Sequence, residues 1–275
     1  MVLKKEKNAI VYLAAGLSSR FGGKIKQLVK VGHNGETLME ISLSQAIKAG
    51  FNKIIFIVGN LTETPFREKF GDNYMGFPVS YAQQKFFPED RDRPWGTVDA
   101  LCSIENIIDC PFVVCNGDDI YGENTFKILL NHLRGSDDSA TIGYKLSEVL
   151  SEKGSVTRGI FEIKLDKVTK ITETFNILKD RLAEQNLDPS CLCSQNIFAL
   201  KPMVINLLKE KLYEFKQKHT GDRKIECILP TELSNLIGDG KIKMHLYLTT
   251  DKWVGVTNPG DEIIMRRIID SAAKQ

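Results

Sequence analysis

Short apolar runs alternate with amphipathic segments of helix length through the first half of the chain, and this alternation constrains the fold more than any other feature. The runs predicted to be buried strands are residues 10–15, 53–58, 78–83 and 112–115. The segments with the apolar spacing of helices are residues 37–49, 97–108 and 123–134. Gly50 and Gly135 are expected to end two of these helices. Strands that alternate with helices predict an α/β fold with a mixed, mostly parallel sheet flanked by helices.

The second half changes character and is predicted to complete the same domain. Its strands are expected at residues 159–165, 168–174, 194–200 and 242–248, and its helices at residues 202–215 and 261–273. The helix that starts at Pro202 places its apolar side chains on one face. No internal repeat or low-complexity linker divides the sequence. We therefore expect one Rossmann-like domain over residues 1–275, built from halves of about 1–135 and 136–275.

Composition excludes several classes of protein. The chain has 275 residues, 42% hydrophobic and 26% charged, which is the balance of an ordinary globular protein. A net charge of +2 without a dense Lys/Arg run argues against nucleic-acid binding. No apolar run approaches the roughly 18 residues that span a membrane, and residues 9–15 are too short for a secretory signal. The six cysteines lack paired CxxC spacing, so we expect reduced thiols in a cytoplasmic protein.

The first segment with chemical content follows the first predicted strand. Residues 13–23 read Leu-Ala-Ala-Gly-Leu-Ser-Ser-Arg-Phe-Gly-Gly, and Lys26 comes shortly after. Small residues let backbone N–H groups approach an anion closely. Arg20 can fork onto phosphate oxygens, and Lys26 adds a point charge. This combination suits a triphosphate whose terminal pyrophosphate must be held as it leaves.

A pair of acidic residues follows the fourth predicted strand, in the sequence Asn116-Gly117-Asp118-Asp119. Side chains at the carboxyl end of a buried strand lie where α/β sheets bind ligands. A carboxylate there can hold Mg²⁺, which bridges phosphate oxygens and offsets their charge. Either carboxylate of this pair can therefore serve as a metal ligand.

These segments, together with Pro-Trp-Gly-Thr-Val-Asp-Ala-Leu at residues 94–101, resemble the signature motifs of the nucleotide-diphospho-sugar transferase superfamily. That family includes sugar-1-phosphate nucleotidyltransferases and related cytidylyltransferases. The resemblance implies a GT-A-like nucleotidyltransferase fold, with the nucleotide bound by the first half and the acceptor by the second. It implies that Arg20 contacts the leaving pyrophosphate and Lys26 the transferred phosphate. It also implies that Asp118 is the metal ligand, with Asp119 either supporting the metal or contacting the second substrate. The residues it implies in nucleotide binding are Ala14, Ala15, Gly16, Gln84, Gly96 and Thr97.

A weaker resemblance in the second half implies an acceptor pocket. Gly159 and Glu173 match positions that line it, and Asn196 falls where relatives place a polar residue. Asp119 completes the implied acceptor set. At position 174 the family has a lysine that contacts the acceptor phosphate, whereas this chain has Thr174.

A second departure concerns the metal. The Trp-Val-Gly-Val-Thr-Asn-Pro run at residues 253–259 resembles a family element whose aspartate is the second metal ligand, and Gly255 stands at that position. Glu162, Asp251 and Asp119 are the acids that remain open as replacements. Otherwise Asp118 holds the metal with phosphates alone, or catalysis is impaired.

The implied reaction moves a nucleoside monophosphate from a triphosphate to a sugar phosphate, with Mg²⁺, and yields pyrophosphate and a nucleotide-sugar. The expected partners are a nucleoside triphosphate and a small phosphorylated acceptor, without nucleic acid or membrane, and a homo-oligomer stays open. The run Lys26-Gln27-Leu28 is more typical of the cytidylyltransferase branch, so an alcohol or polyol phosphate is an alternative acceptor. A glycosyltransferase is a further alternative, but its reaction has no use for a loop in which Arg20 and Lys26 hold pyrophosphate. A nucleotide sensor without catalysis is the alternative from another class.

Overall fold

The computed structural model describes residues 6–16, 25–151 and 154–255. Arg20 and the predicted helix at residues 261–273 lie outside the described residues. The strands, in chain order, are β1 (Ala9–Ala14), β2 (Lys53–Val58), β3 (Asn73–Tyr74), β4 (Phe77–Gln83), β5 (Phe112–Asn116), β6 (Asp119–Ile120), β7 (Ser139–Ile142), β8 (Tyr144–Lys145), β9 (Val156–Lys164), β10 (Lys167–Ile177), β11 (Leu192–Ser194), β12 (Phe198–Leu200), β13 (Met244–Tyr247) and β14 (Val254–Gly255). The helices are α1 (Leu38–Ala49), α2 (Glu63–Phe70), α3 (Thr97–Cys102), α4 (Glu123–Gly135), α5 (Met203–Lys218) and α6 (Leu229–Gly238).

A 12-stranded mixed sheet has the order β3-β4-β2-β1-β5-β12-β7-β13-β10-β9-β11-β8. Strands β4, β2, β1 and β5 are mutually parallel. Strand β12 runs antiparallel to both β5 and β7, and β13 is parallel to β7. All strands of the central block from β4 to β13 except β12 therefore share one direction, which confirms the predicted mixed, mostly parallel sheet. Strands β10, β9, β11 and β8 extend this block with antiparallel pairs.

Successive residues of β1 pack on opposite faces of the sheet, because side chains alternate along a strand. Ile10 and Tyr12 belong to a core that α1, α2 and α4 cover. Ala9 and Val11 belong to a second core, covered by α3, α5 and α6. Both faces of this strand are thus buried, which explains its continuous apolar sequence. Among the described helices, none is both long enough and apolar enough to cross a membrane.

Helix α1 shows how the sequence sets a boundary. The Thr37 side chain accepts a hydrogen bond from the Glu40 backbone, and the Glu40 carboxylate accepts one from the Thr37 backbone at 2.8 Å. This reciprocal capping satisfies amides that the first turn leaves without helical partners. Gly50 ends the helix in a left-handed conformation, with φ of 115°. The predicted helix and its glycine stop are confirmed.

Two predicted helix ends were wrong. The helix expected at residues 97–108 ends at Cys102, because the backbone continues in tight turns in which Ile104 N donates to Leu101 O and Glu105 N to Cys102 O. Gly135 is the last residue of α4 and not its cap, since Ser136 follows in an extended conformation.

The strand predicted at residues 194–200 was also wrong, because the chain forms two strands there. Strand β11 ends at Ser194 and β12 starts at Phe198. Asn196 between them has φ of 54°, a left-handed conformation that asparagine tolerates and that departs from regular strand geometry. Its backbone N–H donates to Ser194 Oγ at 3.0 Å. This turn connects β11, which pairs with β9, to β12, which pairs with β5.

The segment before β14 is attached to the start of α4. Gly122, the N-cap of α4, has no side chain that could accept from the first amides. Asp251, from a distant part of the chain, accepts from Thr125 N at 2.7 Å and supplies the missing cap. A Cβ atom at Gly122 would collide with the Asp251 carboxylate, so glycine is required there. Asp251 thereby fixes the segment that leads to Trp253 and Gly255.

Replacing Asp251 with alanine is expected to lower the free energy of unfolding by about 1 kcal/mol, because α4 loses its N-terminal acceptor. Equilibrium unfolding in urea measures the change. Asp251→Asn retains a side-chain oxygen and is the matched control, expected to keep most of the stability. Equal losses in the two variants would contradict the capping role.

Candidate active site

The carboxyl ends of β1, β2, β4 and β5 meet at one edge of the sheet, because these strands are parallel. Ala14 is the last residue of β1, and Ala15 and Gly16 continue from it at this edge. Among the residues that the structure describes, none lies within 4 Å of a Cβ atom built at Gly16. Gly117, after β5, donates its backbone N–H to Leu13 O at 3.0 Å. The loops after β1 and β5 are therefore adjacent, at the edge where open α/β sheets bind ligands.

Gln84 follows β4 at the same edge and uses its amide group to hold the start of α3. Its Nε2 donates to Gly96 O at 3.0 Å and to Asp99 Oδ2 at 3.1 Å. The Asp99 Oδ1 atom accepts from Lys216 Nζ at 2.7 Å. Gln84 is 7% exposed. Its side chain thus has a structural role, and base recognition by Gln84 stays a prediction.

Gly96 and Thr97 also have structural reasons for their identity. Gly96 has φ of 96°, and a Cβ atom there would lie 2.5 Å from Cys227 O. Only glycine fits this approach of two backbones. Thr97 Oγ1 accepts a hydrogen bond from Leu229 N at 2.8 Å, at the start of α6. Contact of these two residues with a nucleotide stays a prediction.

A polar pocket lies between the loop after β5 and the strands of the second half. Its lining residues are Lys26, Asn116, Asp118, Asp119, Thr157, Arg158, Gly159, Glu173, Ser194, Gln195, Asn196 and Trp253. The pocket brings together the predicted metal ligand, the predicted catalytic lysine and all the predicted acceptor residues. The predicted nucleotide residues 14–16, 84 and 96–97 are not part of this lining, and Arg20 lies outside the described residues.

Lys26 and Asp118 form the charged pair nearest to the strand ends. Lys26 begins a short 3₁₀ turn, Lys26–Leu28, and its Nζ lies 3.6 Å from Asp118 Oδ2. The two side chains are 15% and 32% exposed. Burial raises the pKa of Asp118, and the lysine cation opposes that rise. A cation held in this partly dry position can neutralise a phosphate oxygen more strongly than one in bulk water.

Asp119 is 5% exposed and held by two donors. Its Oδ2 accepts from Asn116 Nδ2 at 2.9 Å and from the Tyr121 hydroxyl at 3.1 Å. The single proton of this hydroxyl is shared with Gln195 O, 2.7 Å away, and the hydroxyl oxygen accepts from Asn116 N at 3.2 Å. Burial and the charge of neighbouring Asp118 raise the pKa of Asp119. Two adjacent carboxylates in this setting favour a bound cation.

Gly255 lies directly opposite Asp119, in the antiparallel pair of β14 with β6. A Cβ atom at position 255 would lie 2.6 Å from Asp119 Oδ1 and would collide with the Trp253 ring. The Trp253 Nε1 atom is buried beside Asp119 and favours the charged form of that carboxylate. Asp119 and Trp253 thus fill the space into which a side chain at position 255 would point.

The other acids suggested as metal ligands lie elsewhere. Glu162 is on the exposed part of β9, with its Oε1 3.3 Å from Lys170 Nζ. Asp251 caps α4. Neither lines the pocket, so Asp119 is the one of the three suggested acids that does.

Gly159 and Glu173 face each other in register across β9 and β10. A Cβ atom at Gly159 would lie only 2.9 Å from Ile171 Cγ2, so glycine avoids a close contact there, while Glu173 Oε2 would lie at an ordinary contact distance of 3.6 Å. Glu173 Oε2 is buried without a partner among the described residues. Burial raises the pKa of Glu173, and Arg158 opposes the rise. An unpaired buried oxygen of this kind suits a ligand hydroxyl.

Arg158 in the pocket lining and the buried Tyr121 behind it were missed from the sequence. Tyr121 follows the acidic pair by two residues, and its function as a buried bridge depends on Gln195, which is distant in the chain. Arg158 directly precedes Gly159 in β9. An arginine beside the glycine of a predicted pocket strand is a signal that could have identified it.

Asp118 and Asp119 fit a Mg²⁺ ion that is completed by phosphate oxygens and water. Mg²⁺ in nucleotide-dependent enzymes is commonly bound through one or two carboxylates plus substrate phosphates. Within the described ranges, no group of three or more His, Cys, Asp or Glu side chains could hold a metal. The donor set therefore suits a metal that arrives with the nucleotide.

The chain belongs to the nucleotidyl transferase family, whose model matches residues 13–236. This membership confirms the resemblance drawn from the motifs. A curated relative, the UTP–glucose-1-phosphate uridylyltransferase AglF of Haloferax volcanii, is 29% identical over 143 residues. The match covers 50% of this chain and 54% of AglF, so it spans about half of that relative.

Solved structures show the same fold over nearly the whole chain. A UDP-glucose pyrophosphorylase complexed with UDP-glucose has a TM-score of 0.67 at 17% identity and covers 98% of this chain and 100% of that one. The inositol-1-phosphate CTP transferase from T. maritima has a TM-score of 0.64 at 15% identity, with 96% of each chain covered. The predicted nucleotidyltransferase fold is confirmed.

Loss of the Tyr121 hydroxyl is expected to lower the free energy of unfolding by about 1–3 kcal/mol, because the buried Gln195 carbonyl and the Asp119 carboxylate lose a donor. Urea unfolding of Tyr121→Phe measures this change. Tyr213→Phe is the control, since Tyr213 is 67% exposed, and we expect little effect there. A Tyr121→Phe protein as stable as the wild type would refute the bridging role.

Proposed function

We propose that this chain is an NTP:sugar-phosphate nucleotidyltransferase, which moves a nucleoside monophosphate onto a sugar phosphate and releases pyrophosphate. The observation that carries the proposal is the meeting of Lys26, Asp118 and the predicted acceptor residues in one pocket. Family membership supports it. So do the named activity of AglF and the UDP-glucose bound to the similar pyrophosphorylase.

In the proposed mechanism an acceptor phosphate oxygen attacks the α-phosphorus in line, and pyrophosphate departs from the opposite side. A phosphate dianion is already a competent nucleophile, so no residue has to remove a proton. Lys26 neutralises the transferred phosphate, and Arg20 holds the leaving pyrophosphate. Positioning and charge neutralisation then supply the rate acceleration.

Asp118 and Asp119 would hold Mg²⁺, with Asp119 in place of the acid that position 255 lacks. When bound, the ion offsets negative charge on the phosphate oxygens. Asn116 and Tyr121 keep the Asp119 carboxylate in one orientation through their hydrogen bonds. Such positioned ligands are what a hard cation requires.

The proposed nucleotide site lies at the carboxyl edge of the parallel strands. The loop that starts with Ala14, Ala15 and Gly16 approaches the phosphates, and Gln84 with residues 96–97 borders the base. Gly159, Glu173 and Asn196 border the acceptor. One domain over residues 1–275 would then carry both sites, with the polar pocket between its halves.

A non-sugar acceptor is the second candidate. The inositol-1-phosphate CTP transferase from T. maritima has nearly the same structural similarity as the pyrophosphorylase. The Glu173 oxygen suits a hydroxyl of a sugar or of a polyol equally well. An acceptor panel at fixed nucleotide separates these two substrates.

Pyrophosphate release is the direct test of the proposed reaction. We expect release that requires Mg²⁺, one or more of the nucleoside triphosphates and a phosphorylated acceptor from a panel of sugar and polyol phosphates. Lys26→Ala and Asp118→Asn are each expected to lower kcat by at least about 100-fold, because charge stabilisation of the transferred phosphate is lost. A coupled pyrophosphate assay measures the rates.

Lys164→Ala is the matched control, since Lys164 is exposed at the end of β9. Circular dichroism checks that each variant is folded. Nucleotide binding without release for every acceptor would instead support a sensor without catalysis. Wild-type rates in folded Lys26→Ala would contradict the proposed role of the lysine.

The proposed metal site predicts that both carboxylates contribute to metal affinity. Mn²⁺ can replace Mg²⁺ as a spectroscopic probe, and its free concentration is measured by electron paramagnetic resonance in the presence of a non-hydrolysable triphosphate. Asp118→Asn and Asp119→Asn are each expected to weaken Mn²⁺ binding about 10- to 100-fold. Asp251→Asn is the control and should bind like the wild type. Unchanged affinity in Asp119→Asn would remove Asp119 from the metal site.

A further inference from the structure

Arg158 is a half-buried cation in the pocket whose hydrogen-bonding capacity is incompletely used. Its Nη1 donates to Thr157 O at 2.9 Å and its Nη2 to Val149 O at 2.8 Å. A guanidinium group carries five N–H donors. The Nε atom is buried and has no partner among the described residues. Donors therefore remain for a ligand.

The neighbouring acids do not use these donors. Asp119 and Glu173 lie close enough to favour the charged form of Arg158, while burial lowers its pKa. Even so, Arg158 Nε and Glu173 Oε2 are both unpaired among the described residues. A buried charged group with an unpaired donor is unfavourable, and an anion with an oxygen in reach would relieve this cost.

The guanidinium group is held in place before any ligand binds. Its bond to Val149 O fixes one end, and its central carbon lies 5.1 Å from the centre of the Trp253 ring. A cation over an indole face is attracted to it. Because the group is ordered in advance, binding an anion costs it little further conformational entropy.

The position of Arg158 in the sheet separates it from the other cation of the lining. Lys26 pairs with Asp118 on the side of the first half, whereas Arg158 lies on β9 beside Gly159. Across the strand pair, Arg158 is the direct register partner of Thr174. Residues in such partner positions are immediate neighbours. The positive charge of this region thus comes from β9, and the facing position on β10 is uncharged.

We propose that Arg158 binds the phosphate group of the acceptor, with Nε and one Nη atom forking onto two of its oxygens. Bidentate contacts of this type are the strong form of arginine–phosphate recognition. The inference rests on the proposed function, because it assigns the phosphate to the second substrate. Lys26 then remains available for the phosphate that is transferred, and Glu173 for a hydroxyl of the same acceptor.

Steady-state kinetics of Arg158→Gln tests the assignment. We expect KM for glucose 1-phosphate to rise about 100-fold, because two charge-assisted hydrogen bonds are lost. KM for the nucleoside triphosphate should change less than about twofold, since the triphosphate does not contact this residue. Arg158→Lys keeps the charge but loses the fork, so a rise of about tenfold is expected. Lys170→Gln, an exposed cation on β10, is the matched control.

A rescue variant separates binding from a purely structural role. Thr174→Lys in the Arg158→Gln background places an ammonium group beside the vacated position, and it is expected to recover at least about tenfold of the lost affinity. A residue that only supported the strand would not be replaced by a lysine on the facing strand. Thermal unfolding of every variant checks its fold, and Arg158→Lys serves if Arg158→Gln is unstable.

Isothermal titration calorimetry measures phosphate binding directly and so tests the inference without requiring turnover. Wild type and Arg158→Gln are titrated with glucose 1-phosphate, inositol 1-phosphate and inorganic phosphate, and with glucose as the control without phosphate. We expect the variant to bind the phosphates more weakly and glucose equally. If the wild type releases no pyrophosphate but still binds the phosphates more tightly than Arg158→Gln, the proposed function is refuted and the inference about Arg158 stands. Equal affinities of both proteins for every phosphate, or a rise confined to KM for the triphosphate, would overturn the inference.

Discussion

The parallel pairing of β1 with β2 and β5 is the constraint on which the rest of the site depends. It brings the loops after these strands to one edge, where Gly117 bonds to Leu13. Because β1 is buried on both faces, its direction and register are tightly specified. The acidic pair after β5 therefore lies beside the segment that follows β1.

The second half of the chain completes the site by touching the same acidic pair. The Tyr121 hydroxyl joins Asp119 to Gln195, and β14 pairs with β6 opposite Asp119. Burying a carboxylate in this way is unfavourable unless donors or a cation compensate. Because burial disfavours the charged form, the pKa values of Asp118 and Asp119 are raised. The protein's own groups thus leave the negative charge of these two carboxylates incompletely neutralised. A metal ion bound to phosphate would supply the missing positive charge.

The sequence predicts local features well and contacts between distant segments poorly. The strand of residues 53–58 and the capped helix that ends at Gly50 follow from apolar spacing and cap chemistry within a few residues. The break at Asn196 was missed because one backbone angle decides it, and the apolar pattern continues through it. Helix α6 was missed as well, although Pro230 lies in its first turn. Tyr121 could not be placed in the site, since its partner Gln195 is distant in sequence, whereas Arg158 could have been noticed beside Gly159.

The departures from the family pattern acquire a physical explanation from the sheet. Gly255 lies in register with Asp119, and Thr174 lies in register with Arg158. In each pair, the residue that lost the expected charge faces a residue that carries a charge of the same sign. A motif followed along one strand cannot show this, because register partners are distant in sequence. In this chain, neither departure leaves its strand pair without a charge of the expected sign. The register pairs thus support the proposed transferase over a sensor with a damaged site.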